Sequence, residues 1–256
     1  MIEKKKYSRS FFDELQCTSY SSAREILPYV NEMISPKSVI DIGCGTGEWL
    51  KVWKDILGIE DVRGVEGPYI DPELFAIHSS HLVTQDLKEP YRESRKYDLA
   101  MSLEVGEHLP KESADVLVKT LTGLSDVVLF SAAIPGQEGT YHINEQFPEF
   151  WAHLFNEAGY CTVDILREKI WNLPDVEYWY KQNILLFIRQ EKLQQFPTLK
   201  ENSMSVNRHY LTRIHPDLLE LKNKRIRETS TLFGFINWKW VVFKYKYIKR
   251  NQTKNA

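Results

Sequence analysis

Glu104, Glu107 and His108 stand at i, i+3 and i+4 just past a short apolar run. One helical turn would bring all three to the same side. Two carboxylates and an imidazole form a donor set suited to a hard divalent cation, with coordination positions left over for a substrate. Without metal, an imidazole there can act as a general base. The plainest alternative is that Glu107 and His108 cap the helix that Pro110 and Lys111 open. A second chemistry-bearing stretch, residues 39–50, reads VIDIGCGTGEWL. Gly43, Gly45 and Gly47, with Cys44 as the small residue between the first two, allow a tight turn and a close approach of backbone to ligand. Asp41 lies just before them, inside the apolar run. A phosphate cradle would not want a carboxylate there; a ligand bearing an ammonium would.

These residues need elements to position them. Ser38–Ile42 has the size and β-branched content of a buried parallel strand, and helix-forming residues follow over 48–57. Strand, glycine turn and helix together hold a nucleotide-like ligand at the carboxyl end of an open α/β sheet. Asp61–Glu66 is a second strand whose terminal acid can accept from both ribose hydroxyls, so Glu66 and Gly67 read as a ribose clamp. The alternative is a solvated strand-end acid. Residues 81–87 form a third strand with Asp86 near its end, and 97–103 a fourth, closed by Leu103. A helix is expected to about Leu124, a fifth strand over 127–132, then a long loop over 133–145. Residues 147–158 repeat apolar side chains at helical spacing and Gly159 ends the helix. Residues 161–166 and 183–189 supply the last two strands, with Gln182 and Asn183 facing the pocket. Ser22 and Glu25 resemble a capping box that opens an N-terminal helix, with a kink at Pro28. That helix either lids the pocket or simply packs. Tyr141, Trp151, Trp171, Trp179 and Tyr180 are either stacking surfaces for a ring or core.

At 256 residues, 43% hydrophobic and 27% charged, the chain suits one α/β domain with an extension. The net charge of −2 hides an asymmetry, because residues 222–256 carry ten Lys/Arg and one acid. The rest is strongly acidic, which suits a cationic ligand and argues against coating nucleic acid. Cys17, Cys44 and Cys161 are far apart and form no C-x-x-C, which fits a reducing cytosol. No apolar run follows Lys4-Lys5-Lys6, and none approaches eighteen residues. The expectation is a cytoplasmic protein with a domain over 1–190, N-terminal lid helices over about 10–35, and a linker and extension over 191–256. Within the extension, 191–207 reads as a polar linker and 216–227 as a charged helix. The aromatic, basic stretch 232–250 either lies on an anionic membrane surface or docks as a helix on the body or a second subunit.

The order D-x-G-x-G-x-G after a strand resembles motif I of the class I S-adenosylmethionine (SAM)-dependent methyltransferases. In the nicotinamide fingerprint G-x-G-x-x-G the third glycine comes one residue later. The resemblance covers residues 20–190 or so. It implies an α/β, doubly wound, seven-stranded, mostly parallel sheet (the Rossmann-like methyltransferase fold, last strand antiparallel), here followed by a C-terminal helical, aromatic-basic extension. It implies SAM held by Asp41, Gly43, Cys44, Gly45, Gly47, Glu66 and Gly67. Asp86 would accept from the adenine amino group, the Leu87 backbone would meet the adenine ring, and Leu103 and Glu104 would lie where the methyl group points. The E-x-x-E-H pattern resembles metal-dependent O-methyltransferases of two kinds, those acting on the terminal ribose of small RNAs and those of the ubiquinone pathway. In the RNA group a further histidine on the loop after the fifth strand completes the site, and His142 holds that place. The resemblance thus implies Mg²⁺ on Glu104, Glu107, His108 and His142, with Glu104, His108 and His142 the catalytic candidates; the metal-free alternative makes His142 or His108 the base. The expected reaction is O-methylation of a sugar or other small vicinal-diol acceptor, in glycan assembly, with no nucleic-acid partner. A nicotinamide-dependent oxidoreductase and a SAM-binding regulatory module without turnover are the rival readings.

Overall fold

Strand residues alternate between two apolar layers with a period of two. Val39, Leu99, Met101, Leu129, Leu186 and Ile188 face one layer, and Ile40, Ala100, Val128, Phe130, Leu185 and Phe187 face the other. A sheet buried on both faces in this way must be covered by helices on both sides. The computed structural model describes residues 9–204, 210–230, 236–237 and 239–240. Its strands are β1 (Ser38–Ile42), β2 (Asp61–Glu66), β3 (Leu82–Thr84), β4 (Leu99–Leu103), β5 (Val127–Ser131), β6 (Tyr160–Val163), β7 (Leu185–Arg189) and β8 (Ser203–Met204). Their order in the sheet is β3-β2-β1-β4-β5-β7-β6-β8. β1 to β5 pair in parallel, while β7 is antiparallel to both β5 and β6. This is the expected seven-stranded arrangement with one short addition, β8, antiparallel to β6 at the edge.

The chain runs outward from β1 to β3 on one side and from β4 on the other. The crevice at the carboxyl ends of β1 and β4 is therefore the topological switch point, where open α/β sheets bind ligands. Two helices, α1 (Arg9–Ile34) and α2 (Glu48–Asp55), cover one face. Ile26, Leu27, Val30, Leu50 and Trp53 are buried there, and the Trp53 indole N–H points at Met101 Sδ at 3.2 Å. On the other face α3 (Ala114–Leu124) and α4 (Pro148–Glu157) bring Leu117, Leu121, Trp151 and Phe155 against Phe130 and Phe187. The rings of Phe155 and Phe187 stack with centroids 3.9 Å apart.

Two expectations are corrected here. The first concerns Ser22, which caps no helix. It lies inside α1, which extends back to Arg9, and its hydroxyl accepts from the Glu177 N–H at 3.0 Å. Pro28 lies inside α1 without ending it. The second concerns residues 191–204, which do not form a linker. A 3₁₀ turn (Gln190–Gln195), a short helix and β8 occupy this segment, and Leu193 and Leu199 are buried in the core. One compact unit runs to Arg213 and a second begins at Ile214. The second contains a charged helix, Pro216–Ser230, close to the expected 216–227. Most of 232–250 lies outside the described residues, as does Lys4-Lys5-Lys6. Among the described residues no helix is long and apolar enough to cross a membrane.

The first unit is tied together by Arg167, fully buried in α5 (Leu166–Ile170). Its Nε and Nη2 donate to Asp164 at 2.8 and 2.5 Å, and its Nη1 donates to the carbonyls of Gln182 and Leu211 at 2.8 and 2.6 Å. Removing one member of a buried pair leaves a dry, uncompensated charge. Arg167→Ala and Asp164→Asn should each lower stability by about 3–5 kcal/mol in urea denaturation, the second because it leaves the buried guanidinium without its counter-charge.

Candidate active site

A cavity of about 710 Å³ opens at the switch point. Its floor is the turn after β1. Gly43 has φ +82°, donates its N–H to the Val65 carbonyl at 2.8 Å, and has no room for a Cβ, which would stand 2.5 Å from Val105 Cγ2. Gly45, at φ +55°, has no heavy atom within 4 Å of where its Cβ would be, so its backbone faces open cavity. Cys44, between them, is buried.

Asp41 and Glu66 are brought together at the ends of β1 and β2, as their spacing predicted. Asp41 is 2% exposed and its Oδ1 has no hydrogen-bond partner. Burial first, and the charge of Glu66 second, push its pKa up to about 8. Glu66 is buried too, and burial likewise raises its pKa. Its Oε2 accepts from the Gly45 N–H at 2.7 Å, and its Oε1 from the Gly67 N–H at 2.6 Å and the Tyr69 hydroxyl at 2.5 Å. Leu87 is buried in the cavity wall, while Asp86 sits half-exposed on the rim with Lys88 Nζ 3.3 Å away. Sequence reasoning missed Glu48, a buried cavity acid at the start of α2 whose pKa burial lifts to about 7. An acid in the first helical turn after the glycines was the available signal.

The other half of the cavity is built after β4. Leu103 closes the strand and lines the cavity. Gly106–His108 form a single 3₁₀ turn, not the α-helical turn that i, i+3, i+4 spacing suggested. Glu104 stands before that turn with φ +54°, so it leaves the helical register. The turn and the loop after β5 bring ligand atoms of Glu107, His108 and His142 within 4.8 Å of one another. The two imidazoles meet edge to face at 4.9 Å between centroids. Glu107 is 1% exposed and neither of its carboxylate oxygens has a hydrogen-bond partner. Burial, and then the charge of Glu104, push its pKa well up.

The loop is held to the turn by the Ile143 and Asn144 N–H groups, which donate to the Glu107 carbonyl at 2.9 and 3.1 Å. Glu145 orders the loop by accepting from the Gly136 and Glu138 N–H groups, both at 2.8 Å. The same carboxylate lies 2.9 Å from His142 Nδ1, which leaves Nε2 facing Glu107 Oε1 at 4.0 Å. A carboxylate behind an imidazole fixes its tautomer and ring orientation. Glu145 was not foreseen; only its position three residues after His142 hints at it.

Glu104 lies close enough for its charge to act on Glu107 but is not one of the three residues whose ligand atoms converge. Its carboxylate accepts from Gln137 Nε2 at 2.9 Å and Asn183 Nδ2 at 3.1 Å. Gln137 Oε1 in turn accepts from Gln182 Nε2 and Asn183 Nδ2, both at 2.9 Å. Gln182 and Asn183 thus reach the site through Glu104, and Gln137 is a further residue the sequence did not single out. Of the aromatic candidates, Trp179 and Tyr180 line the cavity, Trp151 is core, and Tyr141 is exposed.

A family model described as a methyltransferase domain matches residues 18–167. No curated protein matches the chain. Among solved structures, human N-acetylserotonin methyltransferase in complex with SAM is similar at TM-score 0.52 and 13% identity, over 70% of this chain and 55% of that one. Streptomyces venezuelae DesVI is similar at TM-score 0.50 and 14% identity, over 71% and 98%. The plantazolicin methyltransferase BpumL, in complex with SAH, gives 0.50 and 16%, over 70% and 88%. These likenesses are to the fold.

The raised pKa of Asp41 has a thermodynamic consequence. An acid at 3.8 in the unfolded chain and about 8 in the folded one keeps its proton only when folded. Its contribution is greatest below the lower value and falls away as pH rises towards the upper. Urea denaturation of the ligand-free protein at pH values between about 5 and 8 should show stability declining with pH. Asp41→Asn should make that decline shallower.

Proposed function

The chain belongs to the methyltransferase-domain family, and from that premise we propose that it methylates a hydroxyl of a sugar or another small vicinal-diol acceptor, assisted by a divalent cation such as Mg²⁺. It is a SAM-dependent methyltransferase; the acceptor and the metal are the proposed parts. The observation that carries them is the gathering of Glu107, His108 and His142 in the same cavity as Asp41 and Glu66.

The residues fit both groups. A donor molecule with a sulfonium and an ammonium is cationic, and the cavity offers it Asp41, Glu48 and Glu66. The unpartnered Oδ1 of Asp41 is an acceptor in want of a charged donor. For the cation, Glu107 supplies two oxygens without hydrogen bonds, and Glu145 leaves His142 Nε2 directed inward. A divalent cation held there would bind neighbouring hydroxyls, lower the pKa of one and orient it.

The protein's own work is alignment and proton handling. In-line displacement at the sulfonium carbon needs donor and acceptor fixed against each other. Asp41 and Glu66 fix one end of the cavity, and the turn carrying Glu107 and His108 fixes the other. Glu104, clamped by two amides, cannot swing freely and presents a set carboxylate to the cavity wall. Tyr178, Trp179 and Tyr180 line the cavity.

Thermal-shift screening of vicinal-diol glycans with S-adenosylhomocysteine present should identify an acceptor. With it, EDTA should abolish turnover and Mg²⁺ or Mn²⁺ restore it. Glu107→Gln should lower kcat/KM at least about 100-fold, and Glu145→Gln about 10–100-fold through weaker metal binding. Turnover unchanged by EDTA would leave His142, oriented by Glu145, as a metal-free general base. SAM binding with no methylation of any acceptor would favour a regulatory module.

A further inference from the structure

The hydrogen-bonding capacity of Glu66 is nearly filled by the protein itself. Gly45 N–H occupies Oε2, and Gly67 N–H and the Tyr69 hydroxyl share Oε1. An ionised carboxylate has about four acceptor sites, so three are taken. Two of the donors are backbone amides of fixed turns. The third belongs to a side chain on the loop after β2 that lines the cavity and is 41% exposed. The ring folds back over Gly67, where a Cβ would stand 2.1 Å from Tyr69 Cε1. Glycine at 67 is what gives the phenol room to reach the strand-end acid.

We propose that Tyr69 is an affinity-setting residue that competes with the cofactor's ribose for Glu66. The inference rests on Glu66 being the ribose acceptor. A ribose diol needs two acceptor sites on that carboxylate, and the Tyr69 hydroxyl holds one of them. Cofactor binding then exchanges one O–H donor for another: the ring swings out towards solvent, about Gly67, as the ribose arrives. Such an exchange lowers affinity without abolishing it, because only the fraction of molecules with the ring displaced is competent to bind. Donor and spent product carry the same ribose, so both are weakened alike and product release is eased. In the ligand-free protein the phenol gives a buried carboxylate a donor it would otherwise lack.

Calorimetry on the full chain tests this with Tyr69→Phe, which removes a single oxygen. The variant should bind S-adenosylhomocysteine and adenosine roughly tenfold tighter, and 2′,3′-dideoxyadenosine no tighter. Unchanged or weaker S-adenosylhomocysteine binding overturns the proposal. Equal tightening of the dideoxy compound also overturns it, since the effect would then not involve ribose hydroxyls. Glu66→Gln separates this from the reading beneath it. If that variant binds S-adenosylhomocysteine normally, Glu66 is not the ribose acceptor. If it binds weakly while Tyr69→Phe does not bind tighter, only the competition fails.

Discussion

Two carboxyl groups, Asp41 and Glu66, are buried side by side at one rim of the sheet, and among the described residues no cationic side chain hydrogen-bonds to either. Dry acids next to each other oppose ionisation and destabilise the fold wherever they are forced to ionise. A proton held on Asp41, or a positive charge brought by a ligand, relieves the pair. The rest of the first unit serves to bring the two acids to that rim: parallel strands in register, a glycine turn too tight for side chains, and helices sealing both faces.

The cavity is asymmetric in how its acids are treated. Glu66 is hydrogen-bonded from two turns and a tyrosine, and Glu104 from two amides. Asp41 and Glu107 instead retain oxygens with no partner. The first pair is held in place by the protein's own donors, and the second keeps unused acceptor capacity inside the cavity. One unsatisfied acid lies near the end of β1 and the other beside the two histidines. A methyl donor and a hydroxyl acceptor approaching from these two ends would meet at the ends of β1 and β4.

Much of this was legible in the sequence because it depends on local periodicity. β1, β4, β5 and β7 are short, largely apolar runs, the glycines have fixed spacing, and Asp41 and Glu66 lie at or near the ends of their strands. What was not legible depends on contacts between distant segments. Ser22 looked like a cap because its partner, Glu177, is far away in the sequence. Residues 191–204 looked like a linker because only Leu193 and Leu199 reveal their burial. Glu104 was placed with Glu107 and His108 by helical spacing, but a left-handed φ and a 3₁₀ turn took it out of that register. Gln137 and Glu145 are polar residues whose roles exist only once the loops close, and Asn183, expected at the pocket, shows its bond to Glu104 only in the fold.

Burial holds a proton on Asp41 in the ligand-free protein, and a cationic ligand should displace it. Calorimetric titration with SAM at about pH 6.5, where a ligand α-amino group is charged, in buffers of different ionisation enthalpy, measures the protons exchanged on binding. With a pKa of about 8 in the free protein, Asp41 should release close to one proton as the ligand's ammonium takes its place. Asp41→Asn should bind more weakly and lose that release. Binding by the unaltered protein with no proton released, or with the same release in the variant, would contradict the account.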